Sequence, residues 1–560
     1  MQEYKQFKDP IYGYVKIPSD YVTNIIDSAE FQRLRRIVQT SYSPLYSAAV
    51  HNRFIHSIGV YHLGTIAAES VFSELKNNDS IKELVDWERI KKVFLLACLL
   101  HDVGHAPFSH TGEKFYLDDT EENRYSKIHN QLTSLVNTDS LKNDLPGQSK
   151  SAAPHEIMSA IVALKSFDEY FKDEFEKELF ARCITGYQFS KGISPEGDLP
   201  SEDKLLYSIY NCIITMLNSK VIDVDRLDYL IRDAYFTGFE TVNIDYSRLL
   251  TSLTIVIDSE VASLGYNKNA ISVIENVVYA HDAERKWIQT HPTVLYDMYI
   301  VQHVINNLDK KFSENSEKKL FSLESLSLEG NKLTENLEIS LLCDDDIVYL
   351  LKQNRDDSLC MEYFSRKQRR HPLWKSESEY KAYITLRFGS DGRTQDTFIE
   401  ALSETEKYMR RYSESWIIND QIIEKITAEL KHMDDADNEL GPDKKKAEQT
   451  KSAQKAKKEK ILKVVKALKA FADSNGAKCD FVLLEASQFY SGFNKTDLYN
   501  IPIRFPKKEG ENIFKLNEVV SLLESDESKT NRFFYLFYKE SETPIDREEF
   551  CKQLYISLLS

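Results

Sequence analysis

Apolar residues recur at spacings of three and four through most of the first 310 positions. Stretches such as Tyr21 to Val38, Ile90 to Leu100 and Ile271 to Trp287 therefore read as helices with one buried face, and the chain reads as mainly α. Strand-like alternation is scarce. Asp9-Pro10-Ile11-Tyr12-Gly13-Tyr14-Val15-Lys16-Ile17, a turn signal followed by aromatic and β-branched residues, predicts a small hairpin or edge strand. Leu253 to Ile257 predicts a second strand, followed by a turn near Gly265. Polar stretches without periodicity at Leu117 to Ser126, Asn137 to Ser151 and Ser190 to Ser201 predict surface loops.

Beyond 310 the pattern changes twice. Residues 311–433 stay mixed and mostly helical, with a basic cluster at Arg366, Lys367, Arg369 and Arg370 just before His371-Pro372. Residues 434–460 lose nearly all large apolar side chains and turn acidic, then lysine-rich, which reads as a linker or an exposed helix. Glutamates interleave the lysines, so a solvated face is expected there rather than a nucleic-acid or lipid patch. From Ile461 an amphipathic helix leads into Cys479 to Glu485, Tyr499 to Phe505 and Arg532 to Tyr538, the pattern of a small α+β unit over 461–560. No internal repeat is present.

At 560 residues the chain exceeds what one hydrophobic core usually serves, so a large body over 1–310 with smaller units is expected. Its mean hydropathy of −0.44 and 11% aromatic content are those of a soluble protein with a packed interior. The formal charge of −16 disfavours a protein that coats nucleic acid by bulk electrostatics; any anionic ligand must be met by a local concentration of positive charge. Seven cysteines without a CxxC pair read as reduced cytosolic thiols, and no apolar run approaches the roughly 20 residues that span a bilayer. A cytoplasmic protein without a membrane partner is expected.

The chemistry concentrates in Val93-Phe94-Leu95-Leu96-Ala97-Cys98-Leu99-Leu100-His101-Asp102-Val103-Gly104-His105-Ala106-Pro107-Phe108-Ser109-His110. An apolar helix runs into a His-Asp pair that Gly104 and Pro107 then terminate, which places two potential ligands at a buried helix end. A buried carboxylate beside an imidazole is costly unless a cation or partner offsets it. His101 and His105 also share a helical face, yet the HExxH metalloprotease pattern is absent. Upstream, His51-Asn52-Arg53-Phe54-Ile55-His56-Ser57 opens a helix. Downstream, Val221 to Asp233 carries Asp223, Asp225, Asp228 and Asp233 among core-facing leucines, with ordinary ion pairs to Arg226 and Arg232 as the alternative to a site.

The order His, His-Asp, Asp resembles the HD-domain phosphohydrolases. More closely, it resembles the deoxynucleoside triphosphate triphosphohydrolase (dGTPase-like) branch that includes the human SAM- and HD-domain restriction factor. The phrases that carry the resemblance are Asp-Pro-Ile-Tyr-Gly at 9–13, Phe-Gln-Arg-Leu-Arg at 31–35, His-Asn-Arg-Phe at 51–54, His-Asp-Val-Gly-His-Ala-Pro-Phe-Ser-His at 101–110 and Ile-Asp-Val-Asp-Arg-Leu-Asp-Tyr at 222–229. Coverage runs over about residues 7 to 300, with Ile501-Pro502-Ile503 resembling the branch's small C-terminal lobe.

The resemblance implies a helical HD core with a small α+β C-terminal unit, and one divalent metal (Fe, Mn, Zn or Mg) on His56, His101, Asp102 and Asp225, with Mg accompanying the nucleotide. It implies His105, His110, His155 and Glu113 as catalytic residues and Gln39, Arg53, Arg226, Tyr229, Asp233 and Arg285 as substrate contacts. Glu113 stands where the family has aspartate, Arg226 where it has lysine, and Thr40 where an apolar residue flanks the sugar. It further implies a regulatory guanine nucleotide on Asp27, Gln32, Arg35, Arg248 and Lys268, with Lys8 and Tyr266 departing from the pattern, in a homo-oligomer (dimer or tetramer). The activity implied is hydrolysis of dNTPs to deoxynucleoside and triphosphate, in nucleotide-pool control or phage defence. The alternatives are an HD phosphodiesterase or nuclease acting on cyclic nucleotides or single-stranded nucleic acid, and a non-catalytic nucleotide sensor.

Overall fold

A computed structural model of the chain describes residues 3–559 apart from 118–123, 146–151, 194–200, 240–242, 314–318, 381, 384–391, 413–416, 436–443, 475–480, 487–492, 494, 507–510, 521–533 and 540–545. The fold is mainly α and divides into two compact units. One comprises Met1–Glu284, Val304–Asn354 and Ser491–Ser525; the other comprises Arg285–His303, Arg355–Tyr490 and Asp526–Ser560.

In the first unit, α1 (Arg53–Asn77) and α2 (Trp87–Leu100) form the spine. Asn52 caps α1 by accepting from the Ile55 amide, and Asp86 caps α2 by accepting from Arg89, each satisfying an orphan donor of a first turn. The last turns of α2 are apolar on nearly every side, and Val93, Phe94, Leu96 to Leu100 are all buried, as such a helix requires. Each leucine so buried stabilises the fold by about 1.5–3 kcal/mol. α3 (Pro154–Ser166) and α4 (Val224–Thr237) complete the frame around the site. Two glycines permit the close approaches that the frame needs. A Cβ at Gly59 on α1 would lie 2.0 Å from an Asp228 carboxylate oxygen on α4, and one at Gly104 would lie 2.3 Å from the backbone of Met158 on α3.

The hairpin expected near residue 9 forms: β1 (Tyr4–Asp9) pairs antiparallel with β2 (Gly13–Pro18). Asp9 Oδ1 accepts from the amides of Ile11 and Tyr12 and so closes the turn. The strand expected at Leu253 is β3 (Leu253–Asp258), but its turn lies at Ser259 and Glu260, both at positive φ; Gly265 sits inside β4 (Val261–Asn267). The periodicity of Tyr21 to Val38 does not produce one helix. The segment breaks into short turns because Ser28 Oγ accepts from the Phe31 amide, capping a new start at Ala29–Gln32. A short helix, Asp139–Asp144, also occupies part of the stretch read as loop between Asn137 and Ser151.

C-terminal strands divide between two sheets. Pro502–Pro506 lies parallel to β4 and antiparallel to Glu511–Lys515, giving a four-stranded sheet in the first unit. In the second unit, Phe534–Tyr538 and Phe481–Glu485 lie between Ile417–Ile418 and His371–Pro372. The helix Lys444–Ser474 begins well before Ile461. Three of its described lysines are paired: Lys457 with Glu404, Lys458 with Glu429 at 2.9 Å and Lys460 with Glu400 at 3.1 Å. Two residues of the basic cluster are likewise taken, Arg369 by Asp297 and Arg370 by the fully buried Glu362. Among the described residues no helix is long and apolar enough to cross a membrane.

Candidate active site

Four side chains from three helices converge at the core of the first unit. His56 leaves the first turn of α1, His101 caps the C-terminus of α2 with Asp102 behind it, and Asp225 stands in the first turn of α4. The Nε2 atoms of His56 and His101 are 3.2 Å apart. Asp225 Oδ1 lies 3.0 Å from the first and 3.5 Å from the second, and Asp102 Oδ2 lies 3.7 and 3.6 Å from them. Asp225 alone of the four keeps appreciable exposure, 38% of its side chain, so the cluster is open on one side.

The far side of each ring decides what this cluster can hold. His56 Nδ1 meets Asp228 Oδ2 at 2.7 Å, and His101 Nδ1 meets the Cys98 carbonyl at 3.0 Å. With both Nδ1 atoms donating, both Nε2 atoms present lone pairs, and two carboxylate oxygens face the same point. Four acceptors aimed at one another fit a divalent cation, and two nitrogens with two oxygens suit a first-row metal. The electrostatics agree in direction. Burial opposes charge on His56, but its bonds to Asp225 and Asp228 push it up to about 9; His101 is raised against its own burial, first by Asp102. Burial disfavours ionised Asp102 and Asp225, yet Arg53 and His101 hold Asp102 low, and His101 and His56 hold Asp225 low. The pocket is built for positive charge at its centre.

Asp228 is itself held by two further groups. Arg232, one turn along α4, donates to it at 2.8 and 3.0 Å, and the Tyr12 hydroxyl donates at 2.7 Å. Arg232 in turn donates to Asp9 at 3.0 Å. The hairpin, α1 and α4 thus meet in one buried polar chain that ends on the His56 ring. Sequence reasoning missed Asp228, Arg232 and Tyr12 as parts of the site. The signal was present, since Asp225 and Asp228 lie three apart and Asp228 and Arg232 four apart, on a face where leucines are buried.

A second cluster adjoins the first. Arg53 donates to Asp102 Oδ2 at 2.8 Å, to Ser109 Oγ at 2.9 Å and to the Gln39 carbonyl, and its outer nitrogen is 3.5 Å from His110 Nε2. His105 and His155 stack with ring centres 4.3 Å apart, and His110 lies edge-on to both. Glu113 bridges the group, 2.5 Å from His155 Nδ1 and 3.5 Å from His110 Nδ1. His155 and Glu113 are therefore both brought to the cluster. Against the cost of burial, His155 and then His110 hold Glu113 ionised. Burial, then Arg53 and the two neighbouring rings, drives His105 well below the ordinary histidine range, and neither of its buried nitrogens has a hydrogen-bond partner.

The loop that carries His105 and His110 is strained. Phe108 and Ser109, neither of them glycine, both stand at positive φ, 56° and 54°, at a cost of about 1–3 kcal/mol each. Gln39 Oε1 and Thr40 Oγ1 are also buried without partners, a penalty of about 1–3 kcal/mol per group that a ligand could relieve. His51, another group that sequence reasoning left without a role, holds Asp233 through Nε2 at 2.7 Å and stacks on Phe236.

The remaining expected residues fall as follows. Arg226 lies near Asp223, with its guanidinium 5.3 Å from the Phe493 ring centre, and Tyr229 is raised by burial. Arg285 opens a π-helical turn in the second unit. Arg35 donates to Gln32 at 2.9 Å and rests over Phe54, while Asp27 is exposed. Arg248 and Lys268 line a polar cavity of about 560 Å³ with Thr251, Ser252, Asn267, Asn269 and Pro506, in which Asp27, Gln32 and Arg35 take no part.

Comparison with known proteins adds a domain match. The HD domain family matches residues 53–184, the stretch from Arg53 to the end of the helix Glu174–Thr185. The uncharacterized protein YwfO of Bacillus subtilis is 25% identical over 396 residues, 69% of this chain and 76% of that protein. A deoxynucleoside triphosphate triphosphohydrolase SAMHD1 homolog of Dictyostelium discoideum is 31% identical over 261 residues, 46% of this chain and 41% of the relative. The chain thus spans less than half of that enzyme. Among solved structures, a phosphohydrolase from Bacteroides thetaiotaomicron superposes with a TM-score of 0.52 at 18% identity over 96% of this chain and all of its own. A hypothetical protein from Aquifex aeolicus gives 0.50 at 19% identity, over 99% of this chain and all of its own. Residues 53–184 of the chain thus match the HD domain, with His56, His101 and Asp102 inside the matched stretch and Asp225 beyond it on α4.

Proposed function

We propose that the chain hydrolyses deoxynucleoside triphosphates to deoxynucleoside and inorganic triphosphate, with one divalent metal on His56, His101, Asp102 and Asp225. The observation that carries the reading is the adjacency of two unlike clusters joined through Arg53, one shaped for a cation and one for an anion. The metal, when bound, supplies polarisation of a phosphoryl oxygen and acidification of water.

The remaining work falls to side chains. Arg53, already bonded to Asp102, presents its outer nitrogen beside His110 and so neutralises a phosphate oxygen there. His105 and His155 offer ring N–H groups on one side of the phosphate, and Glu113 fixes His155. His110, 56% exposed at the rim, is placed to give a proton to the leaving deoxyribose oxygen. The oxygen of water joins the α-phosphorus, the bond from phosphorus to the 5′ oxygen breaks, and triphosphate departs. Gln39, Thr40, Arg226, Tyr229 and Asp233 form the sugar and phosphate contacts. The unpartnered oxygens of Gln39 and Thr40 support a polar sugar edge there. A regulatory nucleotide on Asp27, Gln32, Arg35, Arg248 and Lys268 in a homo-oligomer belongs to the same reading, and the cavity at Arg248 and Lys268 supports its phosphate end.

Incubation of the purified chain with Mn²⁺, Mg²⁺ or Fe²⁺ and each dNTP or NTP, with products identified by mass spectrometry, tests the proposal. Deoxynucleoside plus triphosphate is expected. A monophosphate, a cleaved oligonucleotide or no turnover with any metal overturns it.

A further inference from the structure

The loop from Val103 to His110 is held by more than its own turns. Its last turn carries two consecutive non-glycine residues at positive φ, Phe108 and Ser109, immediately before His110. The restraint comes from far along the chain, outside the stretch that matches the HD domain. Asp344, buried at the start of the helix α5 (Asp344–Gln353), accepts from the Phe108 amide through Oδ1 at 2.6 Å and from the Val38 amide through Oδ2 at 2.9 Å. One carboxylate therefore fastens the residue two before His110 and the residue just before Gln39.

The two strands so joined are also bonded to each other, since Ser109 Oγ donates to the Val38 carbonyl and accepts from Arg53. A second clamp acts from the other side. Arg33, fully buried, donates to the Leu342 carbonyl at 2.8 Å and to the carbonyls of Val103 and His105 at 2.8 and 3.0 Å. The segment Leu342–Asp344 is thus gripped against both ends of the loop that carries His105 and His110. The backbone groups it satisfies are those of a loop that turns away from regular hydrogen bonding.

We infer that Asp344 is a positioning residue of the active site, its carboxylate locking the Phe108–His110 turn and the Val38–Thr40 segment in register so that His110 and Gln39 face the same ligand. It touches no ligand itself. Two oxygens for two amides is a requirement that aspartate meets and asparagine cannot, because the amide nitrogen of asparagine would face a donor. The residue thus gives the segment after 310 a part in the chemistry of the body before it. This role rests on the proposed site, so its test includes a readout that does not need turnover.

Asp344→Asn is compared with Asp345→Asn, whose carboxylate makes an exposed pair with Arg36 and stands outside the clamp. In hydrogen–deuterium exchange, the peptide spanning Val103–Thr111 is expected to lose protection in Asp344→Asn and to keep it in Asp345→Asn, with α2 and α4 unchanged in both. Metal content is expected to stay at the wild-type stoichiometry. With a dNTP that the wild type turns over, kcat is expected to fall about 100-fold in Asp344→Asn, as for misplaced catalytic groups, with a smaller change in KM. Loss of protection throughout the first unit, or unchanged protection of the 103–111 peptide, overturns the inference. A wild type that turns over no dNTP overturns the proposed reaction while leaving the exchange result to decide the clamp.

Discussion

The two histidine clusters use the same side chains to opposite ends. In the first, His56 and His101 are pinned from behind by Asp228 and by the Cys98 carbonyl, and two carboxylates face their free nitrogens. In the second, His105 and His155 are stacked within 15° of parallel, and one carboxylate, Glu113, serves two rings. An ion held by imidazole lies in the ring plane about 2.0–2.1 Å from nitrogen. An ion in the plane of His105 must then stand out of the plane of His155, so this pair cannot share one. Although His105, His110 and His155 are close enough in distance to suggest a metal group, their orientation argues for N–H groups presented side by side to an anion. Proximity of ligand types is thus a weaker guide than what holds each ring from behind.

The largest effect expected from breaking this contrast is on the first cluster. Asp225→Ala leaves two imidazoles and one carboxylate, and removes the oxygen closest to His56 Nε2. Bound metal, measured by elemental mass spectrometry, is expected to fall from near one per chain to near zero, and dNTP turnover by at least about 10³-fold. Full activity in this variant would refute the ligand assignment. The second cluster is expected to respond differently. His110→Gln removes a proton donor and no ligand, so turnover drops about 10²–10⁴-fold while metal content stays at the wild-type value. Loss of metal in His110→Gln would merge the two clusters into one and undo the distinction.

How much of this can be read from the chain depends on whether a local pattern forces it. His101 and Asp102 are legible because eight apolar residues, Val93 to Leu100, run into them, and the chain has to bury that run. His56 and Asp225 gain meaning only from the phrases around them, because a lone histidine or aspartate on a helix carries no signal of what it faces. The supports are less legible still. Asp228 and Arg232 look like an ordinary ion pair at i and i+4 until Gly59 lets α1 close onto them. Asp344 is invisible to any local reading, since its partners Val38 and Phe108 lie 306 and 236 positions away. The mainly helical class follows from periodicity, yet Tyr21 to Val38 shows its limit: one capping serine outweighs a repeated apolar spacing.

A smaller effect sharpens the comparison from the side of charge. Glu156, next to His155 at the start of α3, accepts from the Ala153 amide at 2.7 Å and from Asn218 at 2.9 Å. Burial raises it, with Asp225 and Glu113 adding to the rise over what those bonds lower, and it is pushed up to about 8 from an ordinary 4.5. Burial thus biases Glu156 towards its protonated form, whereas His155 and His110 hold Glu113 ionised against its own burial. The folded chain binds this proton more tightly than the unfolded chain does. The stability it contributes is thus full below about pH 4.5 and is lost progressively as pH rises towards about 8. Glu156→Gln cannot titrate. Thermal unfolding of the metal-free proteins, which share every other titrating group, is expected to show wild type losing stability relative to Glu156→Gln between pH 5 and pH 8. The loss of one hydrogen bond in the variant adds an offset that does not change with pH. A stability difference that is flat across that range would mean that burial does not raise Glu156 in the folded chain.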